Sequence, residues 1–215
     1  MSVERVLPPP QRALLGRLAT RLDAREDFYL AGGTALALQL GHRVSRDFDL
    51  FSLGPFDVTS LRRVLEAVAP PLTVRVQREN TLVVEAMGTP ISAFRYPYPL
   101  VDATLRIPGI PFAVAGLRDI AAMKISAIGQ RGVKRDYVDL YWLCRRAPLA
   151  EWFAAFHARY PAVKESAAHY LKALQWFEEA EETPLPDMLE PVSWEDVKAF
   201  FAREAPALAR ALLHA

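Results

Sequence analysis

Cysteine is almost absent. Cys144 is the only one in 215 residues, so no intrachain disulfide can form and a reducing compartment is expected. No apolar run approaches the ~20 residues of a membrane span, and no leader pattern opens the chain. The expectation is a soluble, cytoplasmic protein with no membrane partner. Excess charge is missing as well: 26 Lys+Arg face 25 Asp+Glu, net +1, which gives no global pull toward nucleic acid or lipid. Repeats and low-complexity tracts are absent too. The distribution of charge is less even. Residues 147–215 carry 6 Lys/Arg and 11 Asp/Glu, net −5, leaving +6 for residues 1–146. A basic larger portion suits a polyanionic substrate such as a nucleotide or RNA. Hydrophobic residues make up 52%, enough for one substantial core or a domain with a helical appendix.

The stretch Phe28–Ser52 organises the rest. Phe28, Tyr29, Leu30 and Ala31 form a short apolar strand that runs into Gly32-Gly33. Thr34 opens the helix-prone TALALQL, and Gly41 closes it, as glycine commonly does. A glycine pair at a helix start leaves the first backbone N–H groups open to an anion such as a phosphate. Then comes Arg46-Asp47-Phe48-Asp49-Leu50-Phe51. Strand alternation puts Asp47 and Asp49 on one face and Phe48 and Leu50 on the other, toward a core. Two adjacent carboxylates repel unless a cation lies between them, and Mg²⁺ or Mn²⁺ is the economical answer. Alone, a D-x-D is usually a solvated strand face and a Gly-Gly before a helix is commonplace. The order phosphate turn, then carboxylate pair, is the stronger signal.

Elsewhere, Pro8-Pro9-Pro10 stops anything before it, and Leu14, Leu15, Leu18 and Leu22 predict a helix over 11–24. Asp57 suits the N-cap of a helix with Leu61, Val64, Leu65 and Val68 as its buried stripe. Strands are predicted at 73–78, 81–87 and 91–96, joined by Glu79-Asn80 and by a turn of Gly88-Thr89-Pro90, with a further strand at 110–116. From Leu117 the pattern is helical: 117–130, 134–146, 149–159, 163–180 and 193–213. The fold class is therefore α/β (α+β): a mixed-sheet domain over 1–116 and a helical region over 117–215 that completes the cleft.

Two charges sit where apolar residues belong. In LRDIAAMKISAIG the stripe is Leu117, Ile120, Ala121, Ile125 and Ile128, and Lys124 lies on it. Either its stem covers the core and its head forms a plain salt bridge or meets water, or its ammonium reaches a triphosphate. In KRDYVDLYWLCRR, Asp136 and Asp139 share a face with Leu140 and Leu143. Either one or both cap a neighbouring helix or pair with Arg131, Lys134 or Arg135, or Asp136 fixes Lys124 or the nucleotide's surroundings, with Asp139 structural. Lys134, Arg135, Arg145 and Arg146, with Tyr141 and Trp142 interleaved, form either an RNA-facing patch or, the preferred reading, a solvated helix with core aromatics. His42 is read as a surface or packing histidine.

AGGTALAL followed by GHRVSRDFDLF, and LRDIAAMKISAIGQRGVKRDYVDLYWL some seventy residues later, resemble the motifs of the AbiEii/AbiGii toxin family. That family lies within the DNA polymerase β-like nucleotidyltransferase superfamily. The resemblance spans roughly residues 26–146. It implies a polymerase β-like core in which Gly32, Gly33 and Thr34 form the phosphate-binding turn and Asp47 and Asp49 ligate metal. Arg43 takes the basic position, Lys124 contacts the nucleotide, and Asp136 is the fourth-motif acid. The activity implied is Mg²⁺- or Mn²⁺-dependent transfer of an NMP from an NTP to an RNA or tRNA end or a protein hydroxyl. Arg43 or Arg46 would help Lys124 neutralise the leaving pyrophosphate. Such proteins act as toxins of toxin–antitoxin or phage-defence systems, with a cognate antitoxin as partner. One departure stands out: the third carboxylate of the superfamily maps near Ala93, with Glu85 or Asp136 as substitutes. The alternatives are a catalytically weak nucleotide- or RNA-binding module that works through protein partners, and a metal-dependent hydrolase.

Overall fold

The computed structural model describes residues 3–22, 28–162 and 167–213. The chain forms two compact units, Met1–Pro99 with Ala103–Gly116 and Leu100–Asp102 with Leu117–Ala215.

The first unit begins with a one-turn helix, α1 (Val3–Val6), that the proline run conceals in the sequence. α2 (Pro9–Leu22) follows; Pro9 and Pro10 sit in its first turn, where a missing N–H breaks no helical bond. Residues 23 and 24, included in the predicted helix, lie outside the described residues. Then come β1 (Tyr29–Ala31), α3 (Gly32–Leu40), β2 (Phe48–Ser52) and α4 (Val58–Val68). They are followed by β3 (Leu72–Arg78), β4 (Thr81–Ala86), β5 (Thr89–Arg95) and β6 (Ala113–Val114). All six strands join one mixed sheet in the order β3-β4-β5-β2-β1-β6. The β2–β5 and β1–β6 pairs are parallel and the others antiparallel.

Asp57 caps α4, its carboxylate accepting from the N–H of Thr59 at 2.9 Å and of Ser60 at 3.1 Å. Leu61 and Leu65 on that helix are buried. The β4–β5 turn differs from the sequence reading. It is Met87-Gly88, with φ of 52° and 74°, and Thr89 and Pro90 already belong to β5. A two-residue hairpin loop of this kind needs positive φ at both positions. Met87 adopts it without being glycine, so the sequence does not announce the turn. β6 is also shorter than the predicted 110–116.

The second unit contains α5 (Leu117–Arg131), α6 (Lys134–Cys144), α7 (Leu149–Arg159), α8 (Ala167–Ala173), α9 (Glu178–Glu181) and α10 (Trp194–Leu213). Its core includes Ile120, Ile125, Tyr137, Leu140, Phe156 and Phe201. The single helix predicted over 163–180 is interrupted between α8 and α9, and residues 163–166 lie outside the described residues. The Tyr137 hydroxyl explains the interruption: it lies 2.8 Å from the Ala173 carbonyl and 2.5 Å from that of Trp176. Carbonyls at a helix end need such donors. Ser193 caps α10, its hydroxyl accepting from the Asp196 N–H at 3.0 Å. Among the described residues no helix is long and apolar enough to cross a membrane.

The strongest electrostatic constraint in this unit joins α5 to α7. The Arg159 guanidinium and Asp119 carboxylate form an ion pair with both side chains fully buried. Asp119 also accepts from the N–H of Val101 at 2.8 Å and of Asp102 at 3.1 Å, which ties residues 100–102 to α5. A buried pair is costly to break because the surviving charge stays desolvated. Asp119→Ala is expected to destabilise the protein by about 3–5 kcal/mol in urea unfolding; a loss below about 1 kcal/mol would contradict this account of the pair.

Candidate functional site

In the first unit β1 ends at Ala31, which is paired with Asp49 across the antiparallel β1–β2 ladder. Gly32 then turns the chain into α3 with φ +66°, and a Cβ placed there would lie 2.6 Å from Asp49 Oδ2. A Cβ at Gly33 would collide with the Arg43 guanidinium. Each glycine therefore admits a charged group against the backbone, and Gly32 also takes a conformation that L-residues avoid. Ala31, the N-cap of α3, supplies no side-chain cap hydrogen bond. The N-cap residue itself therefore takes none of the opening amides of the helix. At the other end the N–H of Gly41, φ 69°, bonds the Ala37 carbonyl at 2.7 Å.

Alternation along β2 follows the sequence pattern. Phe48 and Leu50 are each 1% exposed, whereas Asp47 and Asp49 are half-buried. Asp47 is held by two hydroxyls. Thr34 Oγ1 donates to the Asp47 main-chain carbonyl and lies 3.5 Å from its Oδ1. Ser45 Oγ lies 2.7 Å from Thr34 Oγ1 and 3.4 Å from Asp47 Oδ1. Arg43 Nη1 donates to the Val44 carbonyl at 3.0 Å and reaches Ser45 Oγ at 3.5 Å.

Several expected residues are therefore placed differently in detail. The Thr34 side chain is buried and its hydroxyl is turned onto Asp47. Arg43, expected in the basic position, is 2% exposed and its guanidinium lies behind Gly33. His42 is fully buried, which selects packing over surface. Arg46 is exposed, and its carbonyl accepts from Gln11 Nε2 at 3.3 Å. Ser45 went unremarked in the sequence; the signal was a small hydroxyl residue two positions before Asp47, on the same parity.

The register of β5 gives the neighbours of Asp49 and of Ala93. Asp49 is level with Ser92, while Ala93 pairs with Leu50 in the core. Glu85, one strand further on, is held by Arg75 at 3.0 Å. Among the described residues no group of three or more His, Cys, Asp or Glu side chains could hold a metal ion. One pleat from Asp49, Phe51 starts an aromatic run that sequence reasoning also missed. Its ring lies 5.9 Å from Tyr29, 6.0 Å from Phe94 and 5.4 Å from Tyr96, and Tyr96 lies 4.8 Å from the exposed Tyr98.

In the second unit Lys124, 6% exposed, sits between two acids. Its Nζ is 2.7 Å from Asp136 Oδ1 and 2.7 Å from Asp139 Oδ2. Of the alternatives left open for Lys124, the geometry shows the salt bridge, with Asp136 fixing the lysine as read and Asp139 joining it. Asp136 Oδ2 is buried with no hydrogen-bond partner among the described residues. The nearby basic residues are largely engaged with aromatic rings: Lys134 lies 5.2 Å from Trp194, and Arg145 lies 4.7 Å from Trp142. Tyr141 packs edge-on to Phe200 at 5.3 Å.

Residues 13–214 match the family model described as nucleotidyl transferase AbiEii toxin, type IV TA system. The chain belongs to the AbiEii family. A relative from Aquifex aeolicus (strain VF5), described only as an uncharacterised protein, is 37% identical over 204 residues, covering 93% of this chain and 96% of that protein. The AbiEii chain also shares its fold with solved structures at lower identity. MenT4, a nucleotidyltransferase toxin from Mycobacterium tuberculosis H37Rv, superposes with a TM-score of 0.59 at 17% identity, over 91% of this chain and 81% of MenT4. JHP933 from Helicobacter pylori gives 0.53 at 17% identity, over 95% and 91%. ANT(2'')-Ia, solved with adenylyl-2''-tobramycin, gives 0.54 at 16% identity, over 71% and 98%. The architecture here, a mixed sheet followed by helices, is the fold these solved structures share.

Replacing Lys124 by Met leaves two buried carboxylates facing each other without this cation. The expected loss is about 3–5 kcal/mol of unfolding free energy, with part of it recovered in Lys124→Met/Asp139→Asn. A single variant within about 1 kcal/mol of the parent would show that the cluster is not held by the ion pair.

Proposed function

We propose that this AbiEii protein transfers an NMP from an NTP to an acceptor hydroxyl, at the face of β2 where Asp47 and Asp49 meet the Gly32-Gly33 turn. The observation that carries this is how closely Asp49 Oδ2 approaches Gly32, where a Cβ would lie 2.6 Å from it. A carboxylate pair and the glycine turn that opens α3 adjoin there. The acceptor hydroxyl oxygen attacks the α-phosphorus and its proton passes to solvent, the bond to the bridging oxygen breaks, and pyrophosphate leaves with the electron pair.

The donor set fits a divalent metal. Two half-buried carboxylates on one face, with no third acid at Ser92, offer hard oxygens and leave the remaining positions to water and phosphate, as Mg²⁺ and Mn²⁺ accept. Bound there, the ion would polarise the α-phosphate and offset charge on the leaving group. The chain supplies the rest. The amides of Gly32, Gly33 and Thr34 at the start of α3 receive the β- and γ-phosphates. Buried Arg43 braces the turn and adds positive potential behind it. Thr34 and Ser45 orient Asp47, and Phe51 with its aromatic neighbours offers a surface for the base. Lys124 is left out of phosphate binding, because Asp136 and Asp139 already take its charge.

An RNA or tRNA end or a protein hydroxyl is the proposed acceptor class, in a cytoplasmic toxin restrained by a cognate antitoxin. One observation favours a second reading. Ser92, level with Asp49 on the neighbouring strand, is not an acid, which suits a nucleotide- or RNA-binding module of low turnover that acts through partners. Incubation with each radiolabelled NTP, Mg²⁺ and total RNA or lysate separates these. Label moves to polymer for a transferase, remains as NTP for a binder, and appears as free NMP for a hydrolase. In that assay Asp49→Ala is expected to lower transfer at least about a hundredfold; activity retained within a few-fold would refute the metal role.

A further inference from the structure

We propose that the helical unit carries a separate pocket that takes one unpaired nucleotide of a single-stranded RNA. The pocket lies where the C-terminal end of α5, Tyr137 of α6, α8 and Trp176 converge, with a volume of about 270 Å³. Drug-sized ligands occupy cavities of at least ~300 Å³, so this one suits a single planar ring. Trp176 lines it and is 57% exposed, unusual for the largest apolar side chain. Its backbone is nevertheless fixed. The Trp176 carbonyl lies 2.5 Å from the Tyr137 hydroxyl, and its N–H bonds the Ala173 carbonyl at 3.0 Å. The Tyr137 ring is itself wedged against Phe177, Trp194 and Phe201 at 5.3, 5.8 and 5.9 Å. An indole open to solvent on a backbone fixed in this way is a stacking platform, and base–aromatic stacking is worth ~1–3 kcal/mol for any base.

The polar lining selects the ligand's chemistry. Arg131 and Lys172 are exposed, and neither forms an ion pair among the described residues. They supply the cations that a phosphodiester needs. Glu179 gives one carboxylate, which accepts from the amino or imino edge of a base. His169 Nε2 is engaged with the Gly129 carbonyl at 2.9 Å and closes the floor. Two cations against one acid disfavour a polycationic ligand. A duplex hides its base faces, whereas a single strand can splay one out. The pocket uses none of the residues from Gly32 to Asp49, so it stands independently of the transfer reaction.

The test is fluorescence polarisation of a labelled single-stranded RNA of about ten nucleotides, with the full chain. Trp176→Ala is expected to weaken binding about 5- to 100-fold and Trp176→Phe only a few-fold. Arg131→Ala/Lys172→Ala is expected to lower the slope of log K against log salt by roughly 1.4, two phosphate contacts at ~0.7 each. Binding is read with no NTP or Mg²⁺ present, which separates this proposal from the transfer reading. Competition by a free mononucleotide or an RNA duplex as effective as that by the single strand would overturn the assignment. So would Trp176→Ala binding within twofold of the parent, or no binding by the parent.

Discussion

The site depends on one close approach: a carboxylate of β2 lying against the backbone of the turn that starts α3. Gly32 permits it by having no side chain and by taking positive φ, and the Ala31–Asp49 pairing fixes it. Because β2 buries Phe48 and Leu50, its register cannot slip by one residue without turning both aspartates into the core. Sheet packing therefore sets the site geometry. The hydroxyls of Thr34 and Ser45 then hold Asp47, and buried Arg43 fills the space behind Gly33. The repulsion of two half-buried acids is set against backbone amides, a guanidinium and, in the proposed reaction, a divalent cation.

The helical unit solves its electrostatics differently. Its buried charges are matched internally: Lys124 by two aspartates, and Arg159 by Asp119. Arrangements of this kind cost desolvation and are recovered only by good geometry. Their effect is to fix how α5, α6 and α7 pack, and to hold residues 100–102 against α5. Tyr137 plays the corresponding part between α8 and α9, where a single hydroxyl faces two carbonyls and leaves Trp176 projecting.

Local signals made much of this legible. The Gly-Gly turn, the Asp57 cap, the alternation of Asp47 and Asp49 and the misfit of Lys124 all come from short-range pattern, and the structure places each where that pattern puts it. What escaped depends on residues distant in sequence. Arg159 looks like an ordinary helix-end cation until Asp119, forty residues away, is brought to it. Ser92 becomes the residue level with Asp49 only once β5 is registered on β2. Met87 hides a turn because a side-chain residue takes a conformation usually left to glycine. The interruption after α8 follows from a tyrosine on another helix, which no local propensity records.

The family match and shared fold make nucleotidyl transfer the natural chemistry, and the close approach of Asp49 to Gly32 is where it must be tested. The most direct measurement is calorimetric titration of each NTP into the intact protein, with and without Mg²⁺, alongside Asp47→Asn/Asp49→Asn. The account predicts saturable binding that requires the metal and is lost in the double variant while the fold is retained. Metal-independent binding, or binding unchanged by the double substitution, would contradict it.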